Sequence, residues 1–184
     1  MTVIVAVRDG GKVLLGADSA TGGGYDCTAS VEPKLFRNGV FLFGITGSWR
    51  LGQLLRYDAR IHELEPHGDA HRFMVTEFVP LLRDVCKDAG FTKVKDSVED
   101  LDNCSFMVAW DAECFIVRDD MQVSQLTPHG FGAVGAGQSY ALGSLYSTNP
   151  DEYDAAIRVA IALKTAAEFS GYVVPPFMTR STGD

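Results

Sequence analysis

Apolar residues along this chain follow two rhythms. The first is a set of short runs that are apolar at nearly every position. Residues 2–7 (Thr-Val-Ile-Val-Ala-Val) form a β-branched run, Asp9-Gly10-Gly11 supplies a turn, and residues 13–17 (Val-Leu-Leu-Gly-Ala) return. That is the chemistry of a β-hairpin, and strands apolar on both faces are covered on both faces. Gly22-Gly23-Gly24 then reads as a loose loop, and residues 34–37 and 40–45 predict two more strands about an Asn38-Gly39 turn.

The period next changes to that of a helix. Leu51, Leu54, Leu55, Tyr57, Ile61 and Leu64 predict a helix over 49–64. Phe73, Val75, Phe78, Leu81, Leu82 and Val85 predict a second over 70–89, where Pro80 should introduce a kink. Residues 92–103 are charged and weakly patterned, as in a surface loop. Strands resume at 104–110, 114–118, 122–126 and 132–135. A helix follows over 138–147, then a last helix that starts at Asp151-Glu152 and runs to 169, and an extended piece over 171–178. Strand groups alternating with helix pairs suit two antiparallel sheets packed face to face with helices outside. The expected fold is therefore α+β, a four-layer α/β/β/α sandwich forming one domain over 1–184. A doubly wound parallel sheet would alternate strand and helix singly.

Composition narrows the function. A net charge of −8 with no basic stripe offers nothing to neutralise phosphates, so nucleic acid is not an expected partner. The apolar opening is too short for a membrane span and lacks a basic region ahead of it, so neither a span nor a secretion signal is expected. Cys27, Cys86, Cys104 and Cys114 have no CxxC spacing, and His67 and His71 fall in or beside a loop. Reduced cysteines, no metal, no cofactor and a cytoplasmic setting are the expectation. Cys27 is the loop-borne thiol of the four.

Thr2 carries the candidate chemistry. A threonine hydroxyl becomes a nucleophile when a base takes its proton, and a free α-amine, with an intrinsic pKa of about 7.7–8.0, can be that base. Thr2 nitrogen is an amide while Met1 is attached, so this chemistry needs Met1 removed.

Several segments then carry a resemblance. The opening Thr2-Val-Ile-Val-Ala-Val-Arg resembles the mature start of HslV, and Gly16-Ala17-Asp18-Ser19-Ala20-Thr21 is similar to an (A/G)-D-(S/G)-x-A-T segment of the same family. Lys34, in Glu32-Pro33-Lys34-Leu35, keeps the spacing of that family's catalytic lysine. Gly44-Ile45-Thr46-Gly47-Ser48 resembles its oxyanion segment. Gly135-Ala136-Gly137-Gln138-Ser139-Tyr140-Ala141-Leu142-Gly143 is similar to G-S-G-x-x-Y-A-x-G, and Glu168-Phe169-Ser170-Gly171 to the end of D-x-x-S-G. The chain thus resembles proteasome β subunits and HslV, the N-terminal-nucleophile threonine hydrolases, over nearly its whole length.

The resemblance implies roles. Thr2 Oγ1 attacks a peptide carbonyl, its own amine takes the proton, and Lys34 lowers the hydroxyl pKa. Asp18 pairs with Lys34, the Gly47 N–H faces the oxyanion, and Ser170 remains from the D-x-x-S-G pair. It also implies a homo-oligomeric ring enclosing the sites, a peptide or unfolded-protein substrate, and a separate ATPase unfoldase, although nothing in this chain encodes ATPase activity. Leu51, Leu54, Leu55 and the aromatic-rich stretch 73–78 are candidates for subunit contacts, and Ile45 and Trp49 for a pocket beside Thr2.

Two positions depart from the pattern. Ala136 stands where the family has serine, and Ala167 where it has aspartate. Glu168 is adjacent, but one helical residue rotates a side chain by about 100°. A catalytically silent, proteasome-like subunit with a structural or binding role is therefore the alternative. A dinucleotide fold, suggested by Gly135-Ala136-Gly137, fails because Tyr140 stands where the fingerprint needs glycine and no βαβ unit surrounds it.

Overall fold

Strand β1 (Ile4–Asp9) turns through Gly10-Gly11 into β2 (Lys12–Ala17), and the two pair antiparallel with Ile4 opposite Ala17. This computed structural model describes residues 2–23, 26–95 and 98–184, so Met1 and Gly24 lie outside the described residues. A short hairpin of β3 (Ala20–Gly23) and β4 (Asp26–Ala29) follows, then β5 (Leu35–Asn38) and β6 (Phe41–Ile45). Helices α1 (Trp49–Tyr57) and α2 (Ala59–His62) come next. A long helical stretch consists of α3 (Ala70–Phe73), a π-helical segment Met74–Phe78, and α4 (Val79–Asp88). The second half holds β7 (Lys93–Lys95), β8 (Val98–Asp100), β9 (Phe106–Trp110), β10 (Glu113–Val117), β11 (Val123–Gln125) and β12 (Phe131–Val134). It ends with α5 (Gln138–Ser147), α6 (Ala155–Phe169) and β13 (Met178–Ser181).

Two main sheets result, ordered β12-β1-β2-β13 and β11-β10-β9-β6-β5, antiparallel throughout. The period of two along each strand sorts its side chains into separate cores. Ile4 and Ala6 on β1 meet Leu42 on β6 and Met107 and Ala109 on β9, which fills the space between the sheets. Val3, Val5 and Val7 face the other way, onto Ala141, Leu145, Val159 and Leu163 of α5 and α6. Phe41, Phe43, Phe106 and Trp110 face Leu51, Leu55, Phe73 and Phe78 of α1, α3 and the π-helical segment. The four-layer α/β/β/α sandwich is thus present, with α5 and α6 on one outer face and the helices between Trp49 and Asp88 on the other.

Small residues let the layers approach. A Cβ on Gly16 would lie 2.3 Å from Val159 Cγ1, so α6 rests directly on the β2 backbone. One on Gly44 would lie 2.6 Å from Ile4 Cγ2, so the sheets touch there as well.

Several expectations are corrected. The helix over 49–64 is divided at Asp58, whose carboxylate accepts from the Arg60 N–H and starts a new helix. The kink expected at Pro80 takes the form of the π-helical segment just before α4, which has Pro80 in its first turn. That wider turn accommodates a residue with no N–H to give and a ring that crowds the preceding carbonyls. Residues 92–103 contain the β7–β8 hairpin, and Gly22-Gly23 lie in strand β3 or at its end. Cys27 sits on β4, not in a loop. The last helix starts later than Asp151, after Asp154, whose carboxylate accepts from the Ile157 N–H at 2.8 Å. Leu51, Leu55, Phe73 and Phe78 are fully buried in the chain's own core, so they are not subunit contacts. No helix among the described residues is long and apolar enough to cross a membrane.

Candidate active site

The start of β1, the end of β2, the end of β12, the start of β5 and the end of β6 meet at one end of the two sheets. Thr2 immediately precedes β1 and Asp18 immediately follows β2. The antiparallel register sets them side by side: the Val3 N–H donates to Asp18 Oδ1 at 3.0 Å, and the Asp18 N–H to Val3 O at 3.4 Å. Lys34 precedes β5 and is anchored there by its carbonyl, which accepts from the Ile45 N–H at 3.1 Å.

The side chains converge. Lys34 Nζ donates to Asp18 Oδ1 at 2.8 Å and also to Thr2 Oγ1, whose hydroxyl in turn donates to Asp18 Oδ1. The second carboxylate oxygen accepts from the Ala20 N–H at 2.9 Å and the Val174 N–H at 3.2 Å. Thr2, Asp18 and Lys34 are all buried. Burial pushes the Lys34 ammonium below the ordinary lysine value, and the Asp18 charge opposes that shift without cancelling it. A cation held against the hydroxyl favours its ionised form. Neither Cys86 nor Cys114 is a competing nucleophile, because burial raises their thiols to about 11 and about 12.

A cleft of about 100 Å3 opens over Thr2 and Lys34. Ile45 and Trp49 line it as expected, and the Trp49 indole donates to Thr21 Oγ1 at 3.2 Å, which fixes the ring. Gly47 forms part of the rim with φ +80, a region that favours glycine. A Cβ there would also lie 2.6 Å from Cys104 Sγ. The neighbours on either side are tied down. Thr46 Oγ1 donates to Ser105 O at 2.6 Å, and the Ser48 N–H meets Cys104 Sγ at 3.0 Å. Among the described residues the Gly47 N–H has no acceptor, so it is available to a ligand oxygen.

Ser170 lies where α6 turns toward Val173 and Val174. It is buried at the C-cap of α6, where its Oγ accepts from the Tyr172 N–H at 3.4 Å, and it has no hydrogen bond to Thr2, Asp18 or Lys34. Its turn leads into Val174, through which it supports Asp18 only indirectly. Glu168 is exposed while Ala166 packs in the core, so the carboxylate next to Ala167 faces solvent and does not replace the expected aspartate. The three backbone donors to Asp18 and the thiol beneath Gly47 went unread in the sequence. A main-chain N–H leaves no residue-type signal, and Cys104 gave none beyond an apolar strand position.

No family model matches the chain, and no curated protein matches it by sequence. Solved structures do. BPH of Thiobacillus denitrificans, in complex with epoxomicin, has a TM-score of 0.80 at 21% identity, with 97% of each chain covered. HslV of Trypanosoma brucei has a TM-score of 0.67 at 19% identity, covering 97% of this chain and 98% of that one. Anbu from Yersinia bercovieri has a TM-score of 0.66 at 16% identity, covering 97% of this chain and 80% of the other. Together with the four layers and their topology, these likenesses establish that the chain has the proteasome-like N-terminal-nucleophile hydrolase fold.

Proposed function

We infer that the chain, once Met1 is removed, is a threonine-type peptidase. The observation that carries this is the buried contact of Lys34 Nζ with both Thr2 Oγ1 and the Asp18 carboxylate beneath an open cleft. Thr2 Oγ1 attacks the scissile carbonyl while the α-amine takes its proton. The carbonyl oxygen becomes an oxyanion facing the Gly47 N–H, a contact of about 3–4 kcal/mol in other hydrolases. The amine then gives the proton to the departing nitrogen, the C–N bond breaks, and an ester remains on Thr2. Water, deprotonated by the same amine, hydrolyses that ester and restores the hydroxyl. Ser170 supports this machinery through its turn.

The resemblance and the solved Anbu complex from Pseudomonas aeruginosa, a helical assembly, support a homo-oligomer. The reading extends to a cytoplasmic ring that takes peptide or unfolded protein, with any ATPase unfoldase a separate chain. The silent-subunit alternative is favoured by Ala136, Ala167 and the outward-facing Glu168.

Intact mass of protein made in its own host should show a chain starting at Thr2. That chain should gain one equivalent of an epoxyketone such as epoxomicin and cleave short fluorogenic peptides. Ala136→Ser, which restores the missing hydroxyl, should raise the cleavage rate. A chain with a free Thr2 that neither labels nor cleaves would make the silent subunit the correct reading.

A further inference from the structure

A second cleft, polar and of about 260 Å3, shares Thr46 and Gly47 with the cleft over Thr2. Its other walls include Ser105, Arg118, Ala136 and Gln138. Arg118 arrives there by strand geometry. On β10, Phe115 and Val117 face the helices whereas Cys114 and Ile116 face the opposite sheet, so residue 118 continues on the Ile116 side. Ile116 reaches β12, since a Cβ on Gly132 would lie 3.4 Å from Ile116 Cδ1. One step further along, Arg118 meets the end of β12, where Gly135 and Ala136 pass Thr2. Arg118 is half-buried, and among the described residues no carboxylate lies within salt-bridge distance of its guanidinium. In a chain of net charge −8, a cation with no carboxylate partner among the described residues, in a cleft adjoining the one over the nucleophile, is suited to an anionic ligand.

The side of the substrate that reaches this cleft follows from Thr2. Its amine must deliver a proton to the departing nitrogen, so the leaving-group side lies toward the Thr2 main chain. The 135–137 segment runs along that main chain: the Gly137 N–H donates to Thr2 O at 3.2 Å, and a Cβ on Gly135 would lie 2.5 Å from the same oxygen. We propose that this polar cleft is the subsite for the leaving-group side of the substrate, and that Arg118 selects a carboxylate there. The carboxylate belongs either to an acidic side chain or to the free C-terminus of a short peptide. This assignment rests on the peptidase reading and deepens it.

The test is a set of internally quenched peptides identical before the scissile bond. After it they carry Glu or Gln, each with an amidated or a free C-terminus, and kcat/KM is measured for each. A charge-assisted contact should favour the carboxylate-bearing peptide by about tenfold or more. The Glu-amide and Gln-acid arms separate side-chain from terminal recognition. Because each preference is a ratio within one variant, any general loss of activity cancels. Arg118→Ala should bring the ratio near unity, Arg118→Glu should invert it, and Arg118→Lys should keep part of it. A wild-type chain that labels with epoxomicin and cleaves yet shows no preference overturns this assignment alone, as does a preference surviving in Arg118→Ala. Absence of labelling on a chain beginning at Thr2 overturns the peptidase reading and this assignment with it.

Discussion

The Lys34 side chain is 5% exposed, and its Nζ lies 2.8 Å from a fully buried Asp18 carboxylate. Removing the ammonium therefore costs more than catalysis. Lys34→Ala leaves a buried carboxylate without its countercharge, held only by backbone donors and the Thr2 hydroxyl, a loss of about 3–5 kcal/mol in comparable sites. Thr2→Ala deletes a hydroxyl and a methyl group and strands no charge. Both variants should lower peptide cleavage by at least about 100-fold, but only Lys34→Ala should unfold markedly earlier in urea. The pH profile follows from the same residue. Turnover should rise as the Thr2 amine loses its proton, near or below its intrinsic value of about 7.7–8.0. It should fall as pH climbs through the Lys34 pKa, which burial sets below 10.5, because the neutral amine no longer favours the alkoxide. Whatever activity Lys34→Arg retains should lack that alkaline fall, since guanidinium stays charged; an unchanged fall would exclude Lys34 as its source. The residues of this cluster were legible in sequence through the order and spacing they share with the HslV family, since singly Asp18 reads as a turn residue and Lys34 as a surface lysine. Ser170 was legible as a motif residue, but only the turn after α6 shows its hydroxyl bonded to the Tyr172 N–H rather than to the cluster.

Boundaries between elements were harder to read, because a break in a helix depends on which backbone groups find partners. Periodicity ran through Asp58, yet α1 stops there and α2 begins. Asn38, at the end of β5, shows what holds that junction: its Nδ2 donates to Leu55 O at 2.9 Å and to Asp58 O at 3.0 Å. Helix C-termini leave carbonyls without intrahelical partners, and Asn38 supplies two donors from a nearly buried position. Asn38→Ala should therefore cost about 2 kcal/mol in urea unfolding, the cost of leaving the buried Leu55 carbonyl unpaired, since Asp58 O keeps the His62 N–H at 3.3 Å. Asn38→Asp should be no better than Ala, because a carboxylate has no hydrogen to donate. A wild-type midpoint in Asn38→Asp would remove the donor role. The β7–β8 hairpin escaped the sequence for a different reason. Lys93 and Val94 are exposed, so no apolar alternation marks the strand, and its visible ties are Arg83 Nη2 to Glu99 Oε1 at 2.9 Å and Lys93 to Asp102 at 2.7 Å.

Across the whole molecule the layer order was readable because β1, β2, β6, β9, β10 and β12 are apolar at nearly every position, while α1, α4 and their neighbours present one apolar stripe each. The same stripes suggested subunit contacts at Leu51 and Phe73, and here the sequence misled: a stripe that is consumed by the chain's own sheet looks no different from one that is free. Val31, Val40, Tyr57, Val75 and Val94 are exposed singly, and the remaining exposed large apolar residues gather on the outer α5–α6 layer and just beyond it. Tyr146 is 72% exposed and Phe169 64%, and Tyr140 lies against Phe169 with ring centroids 5.7 Å apart. Exposed aromatic area of this kind favours association, whereas a charge of −8 on every copy opposes it. The two forces respond differently to salt, because at an ionic strength of 0.15 M charges are screened beyond about 8 Å while apolar burial is not weakened. Light scattering at micromolar concentration should therefore show a homo-oligomer whose population grows as salt is raised. Tyr140→Asp with Phe169→Asp should shift the distribution toward monomer and steepen its salt dependence. A monomeric mass at both low and high salt would overturn the assembly, and with it the enclosed compartment that the proposed peptidase would work in.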